Sequence, residues 1–233
     1  MKSLIVVPTY NEAENIDPLV RAIMDLSAGL SVLVVDDNSP DGTGRVVKKL
    51  QLEYPELHLL ERAGKNGLAA AYGAGFAWAL QRDFDAIVEM DADFSHDPKD
   101  LPRLLNALKD SDVAIGSRYV PGGKVTGWSL DRQIISRGGN VYAQLILRLP
   151  YKDLTGGFTA WSRRALEQVV VPAIQSKGYA FQVELKNRAH RAGMKLVEVP
   201  IHFRNRIVGE SKMSGNIVWE AALRVLQMRQ SAG

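Results

Sequence analysis

The sequence predicts an α/β fold in which helices cover both faces of a mostly parallel sheet. Short apolar runs alternate with segments that have helical character, and this alternation continues through the first half of the chain. Strands that alternate with helices favour a parallel sheet, because each connecting helix returns the chain to the same end of the sheet. A chain of 233 residues is long enough to bury a substantial core as one large domain.

The first half contains the clearest elements. Runs rich in Val, Leu and Ile predict strands at residues 4–7, 31–35, 57–60, 86–88 and 113–117. Helices are predicted between them, at residues 16–23, 44–50, 68–80 and 101–108. We expect the carboxyl ends of these strands to meet at one edge of the sheet.

The pattern changes beyond residue 117. A long helix is predicted at residues 131–149, and further helices at residues 163–170 and from residue 179. A turn and a strand are predicted at residues 153–162, and residues 195–203 alternate as a single strand.

Two helices of the second half carry apolar residues that have two interpretations. The helix at 131–149 is more apolar than a helix that faces solvent. The terminal helix has an apolar stripe, which consists of Ile217, Val218, Ala221, Ala222, Val225 and Leu226. These surfaces either pack on the core or form an amphipathic surface that meets lipid.

The predicted strand at residues 86–88 is followed closely by two carboxylates, Asp91 and Asp93. Open α/β sheets bind ligands in the crevice beyond the carboxyl ends of their strands. Two neighbouring anions repel each other unless a cation lies between them, and oxygen ligands of this kind suit Mg²⁺ or Mn²⁺ together with phosphates. The alternative is a turn in which Asp93 caps the next helix.

Other loops at the same edge carry polar residues with less specific patterns. Residues 36–43 are rich in Asp, Asn, Pro and Gly, and their carboxylates could bond ribose hydroxyls and a base, or simply form a solvated turn. The glycines at 64–75 do not match a dinucleotide-binding motif, and the four histidines show no metal-ligand spacing. Arg118 follows a strand directly, and the basic Gly/Ser loop at 204–212 suits phosphate oxygens.

Composition excludes several classes of protein. The absence of cysteine rules out disulfides, thiolate zinc sites and a cysteine nucleophile. The net charge is only +3 and no basic run is present, so we expect no nucleic-acid partner. No apolar run approaches the length of about 20 residues that a membrane-spanning helix needs. The first residues are predicted to form a strand rather than a signal peptide, which favours a cytoplasmic location.

Six motifs taken together resemble the dolichol-phosphate (polyprenol-phosphate) mannose synthases, which are inverting glycosyltransferases with a GT-A fold. The motifs are VPTYNE at 7–12, VDDNSPDGT at 35–43, DAD at 91–93, GSRY at 116–119, DLTGGF at 153–158 and GESK at 209–212. They occur in order over almost the whole chain. The resemblance implies a short form of the enzyme that lacks transmembrane helices.

The resemblance also implies a role for particular residues. The residues implied to hold the guanosine of GDP-mannose are Pro8, Tyr10, Glu12, Val35 and Asp37. The residues implied to meet ribose, diphosphate and the divalent ion are Asp91, Ala92 and Asp93, and those implied to contact phosphates are Arg118, Arg206 and Lys212. We expect one catalytic domain over residues 1–233, with a nucleotide-binding half (1–117), an acceptor half (118–213) and an amphipathic helix (214–233).

The expected reaction is attack by an oxygen of dolichyl or polyprenyl phosphate on the anomeric carbon of mannose as GDP leaves. The nucleophile is already largely ionised near neutral pH, so the protein needs to hold anions together rather than supply a general base. We expect Asp91 and Asp93 to bind the metal, Arg118 and Arg132 to bracket phosphates, with Arg132 on the acceptor, and Asp153 to act as a positioning residue.

Two alternatives remain open at this point. One is transfer of glucose or another sugar from a UDP-sugar, which would keep the same metal motif. The other is a non-catalytic module that binds a nucleotide sugar or a prenyl phosphate. For the enzyme, we expect a peripheral location at the cytoplasmic face of a membrane, with a membrane-anchoring protein as a further partner.

Overall fold

The computed structural model describes residues 1–26, 29–170, 176, 178, 180–205 and 215–230, and within the last stretch the side chains of residues 220–229 only. The strands are β1 (Ser3–Thr9), β2 (Leu30–Asp36), β3 (Leu57–Glu61), β4 (Ala86–Glu89), β5 (Val113–Ser117), β6 (Lys124–Thr126), β7 (Thr159–Ser162), β8 (Leu196–Pro200) and β9 (His202–Arg204). The helices are α1 (Ala13–Met24), α2 (Thr43–Leu50), α3 (Leu68–Leu80), α4 (Leu101–Ala107), α5 (Leu130–Leu147), α6 (Arg163–Val170), α7 (Ala180–Arg191) and α8 (Gly215–Gln230).

Seven strands form one twisted sheet in the order β3-β2-β1-β4-β7-β5-β8. Strand β1 lies between two parallel neighbours, so that Val6 pairs with Leu33 of β2 and with Glu89 of β4. Strand β7 is antiparallel to both β4 and β5. The predicted α/β class with a mostly parallel sheet is confirmed, whereas the division of the chain at residue 117 stays a prediction.

The prediction of a single strand at residues 195–203 is wrong. Strand β8 belongs to the large sheet, whereas β9 pairs with β6, which the sequence analysis did not predict, in a separate two-stranded sheet. Ile201 makes the change of sheet: its N–H donates to the carbonyl of Ser117 at 3.0 Å, and its carbonyl accepts from the N–H of Lys124 at 2.9 Å. Pro200 has no N–H, which favours the end of the first strand at that residue.

Both faces of the sheet are covered, as the helix pattern predicts. Because side chains alternate along a strand, Ile5 and Val7 of β1 pack on the side of α1, α2 and α4, whereas Leu4 and Val6 pack on the side of α3, α6 and α7. All four of these side chains are completely buried. The sheet edge that carries the site is therefore anchored by two cores.

Core packing is confirmed for the inner face of the long helix, whereas contact of its outer face with lipid stays a prediction. On the inner face of α5, Ala143 packs in a small cluster with Val183 of α7 and Val225 of α8. On the outer face, Ile134 and Leu145 are 70% and 71% exposed. The expected stripe on α8 is therefore buried in part, and the side chains of Ile217 and Val218 lie outside the described residues. None of the helices in the described part of the chain is long and apolar enough to cross a membrane.

We predict that Gly75→Ala destabilises the protein because α3 packs closely on the sheet at this position. A Cβ atom at Gly75 would lie 2.5 Å from Cγ1 of Val6. Overpacking of this kind typically lowers the free energy of unfolding by about 1–3 kcal/mol. Gly73→Ala is the matched control in the same helix, because no atom lies within 4 Å of its Cβ position. Urea unfolding measures both, and equal stability of the two variants would contradict the prediction.

Candidate active site

A cavity of about 350 Å³ opens beyond the carboxyl end of β4 and extends to helices α5 and α8. One end is polar and is lined by Asp91, Asp93, Ser95, His96, Arg118, Arg132 and Thr155. The other end is lined mainly by small or apolar residues of the helices, which include Ile135, Gly138, Gly139, Ala143, Val183, Ala221, Ala222 and Val225. The cavity therefore suits a molecule with a charged head and an apolar tail.

The carboxylates of the central motif face this cavity and are held by local hydrogen bonds. Asp93 is 7% exposed, and one of its oxygens accepts from the backbone N–H of Ser95 at 3.1 Å. Asp97, not Asp93, caps the short helical turn that follows, by accepting from the N–H of Lys99 at 3.0 Å. The alternative in which Asp93 serves as a helix cap is therefore wrong.

His96 holds the backbone at the start of the Asp91–Asp93 motif. The backbone N–H of Asp91 donates to its Nδ1 atom at 3.2 Å, so this nitrogen carries no proton. Its ring is buried and stacks on Phe158 with the centroids 4.8 Å apart. Burial lowers the pKa of His96 despite the neighbouring carboxylates, and the ring is therefore neutral at pH 7. The contact of His96 with the motif was not predicted from the sequence.

Arg118 is held in the cavity wall by Asp153, which is completely buried. The carboxylate accepts from Nε and Nη2 of Arg118, both at 2.7 Å, and from its backbone N–H at 2.9 Å. Burial alone would raise the pKa of Asp153, but the charge and hydrogen bonds of Arg118 outweigh it and lower that pKa. Arg118 also donates to Oγ1 of Thr155 at 3.0 Å. Asp153 thus acts on the site through Arg118.

Arg132 reaches the same cavity from helix α5. Its guanidinium lies 4.2 Å from the ring centroid of Trp128, and that of Arg118 lies 5.5 Å from the same ring. Arg132 also donates to the side-chain oxygen of Asn205 at 3.3 Å. The two arginines predicted from the sequence therefore come together around one aromatic ring, in an arrangement that suits phosphate oxygens.

The residues assigned to guanosine lie at the carboxyl ends of β1 and β2 and in the loops that follow these strands. Asp37 pairs with Arg62 at 2.5 Å, and Nζ of Lys65 lies 3.9 Å from the ring centroid of Tyr10. Asp36 is buried and accepts from the hydroxyl of Thr9 at 2.8 Å. The interpretation of this stretch as a merely solvated turn is thus wrong for its first residues.

The remaining donor-site candidates differ in what they can offer. A side-chain oxygen of Glu12 accepts from Asn15 at 2.8 Å, and Pro8 is half-buried at the pairing position opposite Val35. Val35 is completely buried and pairs with Pro8 of β1 and Leu60 of β3. Ala92 is also buried, at 4% exposure. Arg206 and Lys212 lie outside the described residues.

Sequence reasoning missed several residues of the cavity. Ser95 and His96 directly follow the central motif, which is the signal that could have found them. Trp128 and Phe203 are aromatic residues in or beside polar turns, and Thr155 lies within a motif that was noted only as a whole. Their proximity depends on how distant parts of the chain meet.

The chemistry of the two carboxylates fits a hard divalent cation. Within the part of the chain that the structure describes, no group of three or more His, Cys, Asp or Glu side chains is placed to hold a metal ion. Mg²⁺ is commonly bound by one or two carboxylates, with substrate phosphates and water as its other ligands. Asp91 and Asp93 at the mouth of a cavity match that donor set.

Comparison with known proteins gives consistent results. The model of the family described as "Glycosyl transferase family 2" matches residues 4–170. An undecaprenyl-phosphate mannosyltransferase of Micrococcus luteus is 48% identical over 97% of this chain and 93% of its own length. A polyprenol monophosphomannose synthase of Mycolicibacterium smegmatis is 45% identical over 97% of this chain and 86% of its own length.

Solved structures resemble the chain in fold. Glucosyl-3-phosphoglycerate synthase from Mycobacterium tuberculosis, in complex with Mn²⁺, UDP and glucosyl-3-phosphoglycerate, superimposes with a TM-score of 0.74. It is 18% identical, and the match covers 98% of this chain and 80% of that one. At this identity the likeness concerns the fold alone.

We predict that Arg118→Gln destabilises the protein strongly at pH 7 and much less in mild acid. Removing one partner of a buried pair costs about 3–5 kcal/mol, because the other charge is left unpaired. In the wild type the lowered pKa of Asp153 stabilises the fold above its unfolded-state pKa, and this contribution is lost only as the pH falls through the lower folded pKa. In the variant that pKa rises, so the stability difference should shrink as the pH is lowered from 7 to about 4.5.

Urea unfolding at both pH values measures this difference. Arg164→Gln is the control, because Arg164 pairs with Asp112 at the surface and is itself 71% exposed. Its loss should cost less than about 1 kcal/mol. An Arg118→Gln variant with the same deficit at both pH values would show that the buried charge of Asp153 is not the cause.

Proposed function

Since the chain belongs to glycosyl transferase family 2, we propose that it transfers mannose from GDP-mannose to dolichyl phosphate or another polyprenyl phosphate. The GT-A fold predicted from the sequence agrees with this family and with the seven-stranded sheet. The observation that carries the proposal is a cavity that brings together Asp91 and Asp93, two arginines and an apolar end. The names of the two similar proteins, a mannosyltransferase and a mannose synthase, support the same sugar and class of acceptor.

The residues of the cavity suit a displacement between two anions. An oxygen of the acceptor phosphate attacks the anomeric carbon as the bond to the diphosphate breaks, so an α-linked donor gives a β-linked product. Arg118 is fixed by Asp153 and therefore needs little reorganisation when it meets developing negative charge. Arg132 lies on α5, which also lines the apolar end of the cavity, and this supports its assignment to the acceptor phosphate.

Asp91 and Asp93 would hold the divalent ion, Mg²⁺ or Mn²⁺. When bound, such an ion neutralises charge on the diphosphate leaving group. The Mn²⁺ in the fold relative from M. tuberculosis supports a divalent metal in this class of site. His96 keeps the backbone of Asp91 in place, and Ser95 does the same for the carboxylate of Asp93.

The base of the donor is assigned to the carboxyl ends of β1 and β2 and the loops that follow them. We assign guanosine to Pro8, Tyr10, Glu12, Val35 and Asp37. A carboxylate such as Asp37 accepts hydrogen bonds, and the N–H edge of guanine supplies them. Arg206 and Lys212 are assigned to phosphates from the family motif alone. A UDP-sugar is the competing donor.

We also propose that the enzyme works at a membrane surface. Each CH₂ group of a polyprenyl tail that is drawn into water costs about 0.8 kcal/mol, so the protein should come to the lipid. The outer face of α5 presents the exposed side chains of Leu130, Ile134, Val141 and Leu145. Exposed Arg137 on the same helix would attract anionic headgroups of the cytoplasmic leaflet. A separate anchoring protein is a further partner that this surface could serve.

The first experiment is product analysis with radiolabelled GDP-mannose, a polyprenyl phosphate and Mg²⁺ or Mn²⁺. We expect a mannosyl lipid with the purified protein and loss of turnover by at least about 100-fold with Asp93→Asn, because one metal ligand is removed. The fold should be retained, since Asp93 lies at a strand end. Formation of a glucosyl lipid from UDP-glucose in its place would assign the other donor, and binding without turnover would favour a non-catalytic module. Full activity of Asp93→Asn in saturating metal would exclude this metal site.

The second experiment is flotation with vesicles that contain anionic lipid. We expect the protein to bind reversibly and more weakly at high salt, because a Debye length of about 3 Å at 1 M screens headgroup attraction. Ile134→Asp should reduce binding, whereas Leu52→Asp, at an 88% exposed leucine in the turn after α2, should not. A wild-type protein that stays wholly unbound, with or without polyprenyl phosphate, would leave docking to an anchoring partner.

A further inference from the structure

Four buried polar side chains, those of Glu89, Trp161, Gln182 and Lys186, form a hydrogen-bonded network beside the cavity. None of them takes part in the reaction described above. Nε1 of Trp161 donates to one carboxylate oxygen of Glu89 at 2.8 Å, and Nε2 of Gln182 donates to the other at 2.5 Å. Nζ of Lys186 donates to Oε1 of the same glutamine at 3.3 Å. Glu89, Trp161 and Lys186 are completely buried, and Gln182 is 2% exposed. Strand β4 is therefore connected to helix α7 through polar contacts in the core.

Lys186 connects this network to the loop at residues 153–157. Its ammonium group donates to the carbonyl of Leu154 at 3.1 Å and to that of Gly156 at 2.6 Å, so all of its three donors are used. The same loop contains Asp153, which holds Arg118, and Thr155, which lines the cavity. Lys186 thus holds the loop whose Asp153 fixes Arg118 in the cavity wall.

At its other end, the network holds the strand that leads to the Asp91–Asp93 motif. Glu89 is the last residue of β4 and lies two positions before Asp91. A Cβ atom at Gly157 would lie 4.0 Å from Oδ1 of Asp91, so the loop held by Lys186 faces the motif held by β4 directly. The two segments that the polar network holds, the 153–157 loop and the Asp91–Asp93 motif, therefore lie next to each other at the cavity.

Stability alone does not account for such an arrangement. Glu89 and Lys186 are connected through Gln182 rather than by direct contact, so the lost hydration of the two buried groups is not offset by a close ion pair. Burial accordingly raises the pKa of Glu89 and lowers that of Lys186, while each charge favours the other. The charged groups around the pair also include Asp91, Asp153, Arg118 and Glu198.

We propose that Glu89, Gln182 and Lys186 are positioning residues that set the separation between the Asp91–Asp93 motif and the 153–157 loop. This inference rests on the proposed function, because it concerns the alignment of the donor diphosphate with the acceptor phosphate. A displacement of about 1 Å between reacting groups is enough to cost about 100-fold in rate. The network keeps that separation fixed through side chains that touch neither substrate.

The test separates alignment from stability by comparing Lys186→Met with the double variant Glu89→Gln/Lys186→Met. The single variant leaves Glu89 without its cation and should lose both melting temperature and activity. The double variant removes both charges, and a flipped Gln182 amide can then accept through its oxygen from the new amide at position 89, whose own oxygen still accepts from Trp161. We expect the double variant to regain most of the melting temperature, but to keep an acceptor KM raised, or a kcat lowered, by at least about tenfold. Its KM for GDP-mannose should stay within about twofold of the wild type.

Leu185→Ala is the matched control in the same helix, because Leu185 is completely buried in the apolar core. It should lower the melting temperature without changing the acceptor KM. A double variant with wild-type kcat and acceptor KM overturns the inference and leaves the network a purely structural one. A wild-type protein that forms no mannosyl lipid overturns the proposed function, and the inference falls with it.

Discussion

The carboxylate of Asp153 has no access to water, and the protein itself therefore has to satisfy its charge. Three donors of Arg118 and the N–H of Gly156 do so. These bonds fix the side chain of Arg118, which also donates to Thr155 in the cavity wall. The 153–157 loop and the arginine side of the cavity both depend on this ion pair.

The same constraint explains how one site tolerates so much negative charge. Asp91 and Asp93 lie at one side and Asp153 at the other, and the proposed substrates add two more anionic groups. Asp153 holds Arg118 in place before any substrate arrives, and the proposed divalent ion would offset charge on the Asp91–Asp93 side, so that little reorganisation is left for the proposed reaction. Burial of the supporting pairs keeps water from screening them.

The residues that could be predicted from the sequence are those with a local signal. Asp91, Asp93 and Arg118 each follow a strand within a few residues, and that position alone places them at the ligand-binding edge. The partners of these residues carry no such signal, because Gln182 meets Glu89 across 93 positions of the chain and Asp153 meets Arg118 across 35. The division between β8 and β9 was missed for the same reason: an alternating pattern does not show which sheet a strand joins.

The reversed direction of β7 has a consequence for how this enzyme could diversify. A parallel strand contributes the loop after it to the ligand-binding edge, whereas an antiparallel strand contributes the loop before it. Because β7 pairs with both β4 and β5, residues 153–157 enter the cavity between the loops that carry Asp91 and Arg118. The backbone ladders hold β7 in register, and this fixes the point at which the preceding segment joins the sheet. Substitutions in this short segment that retain Asp153 could therefore change which acceptor the proposed site prefers, while β1 and β2 stay as they are.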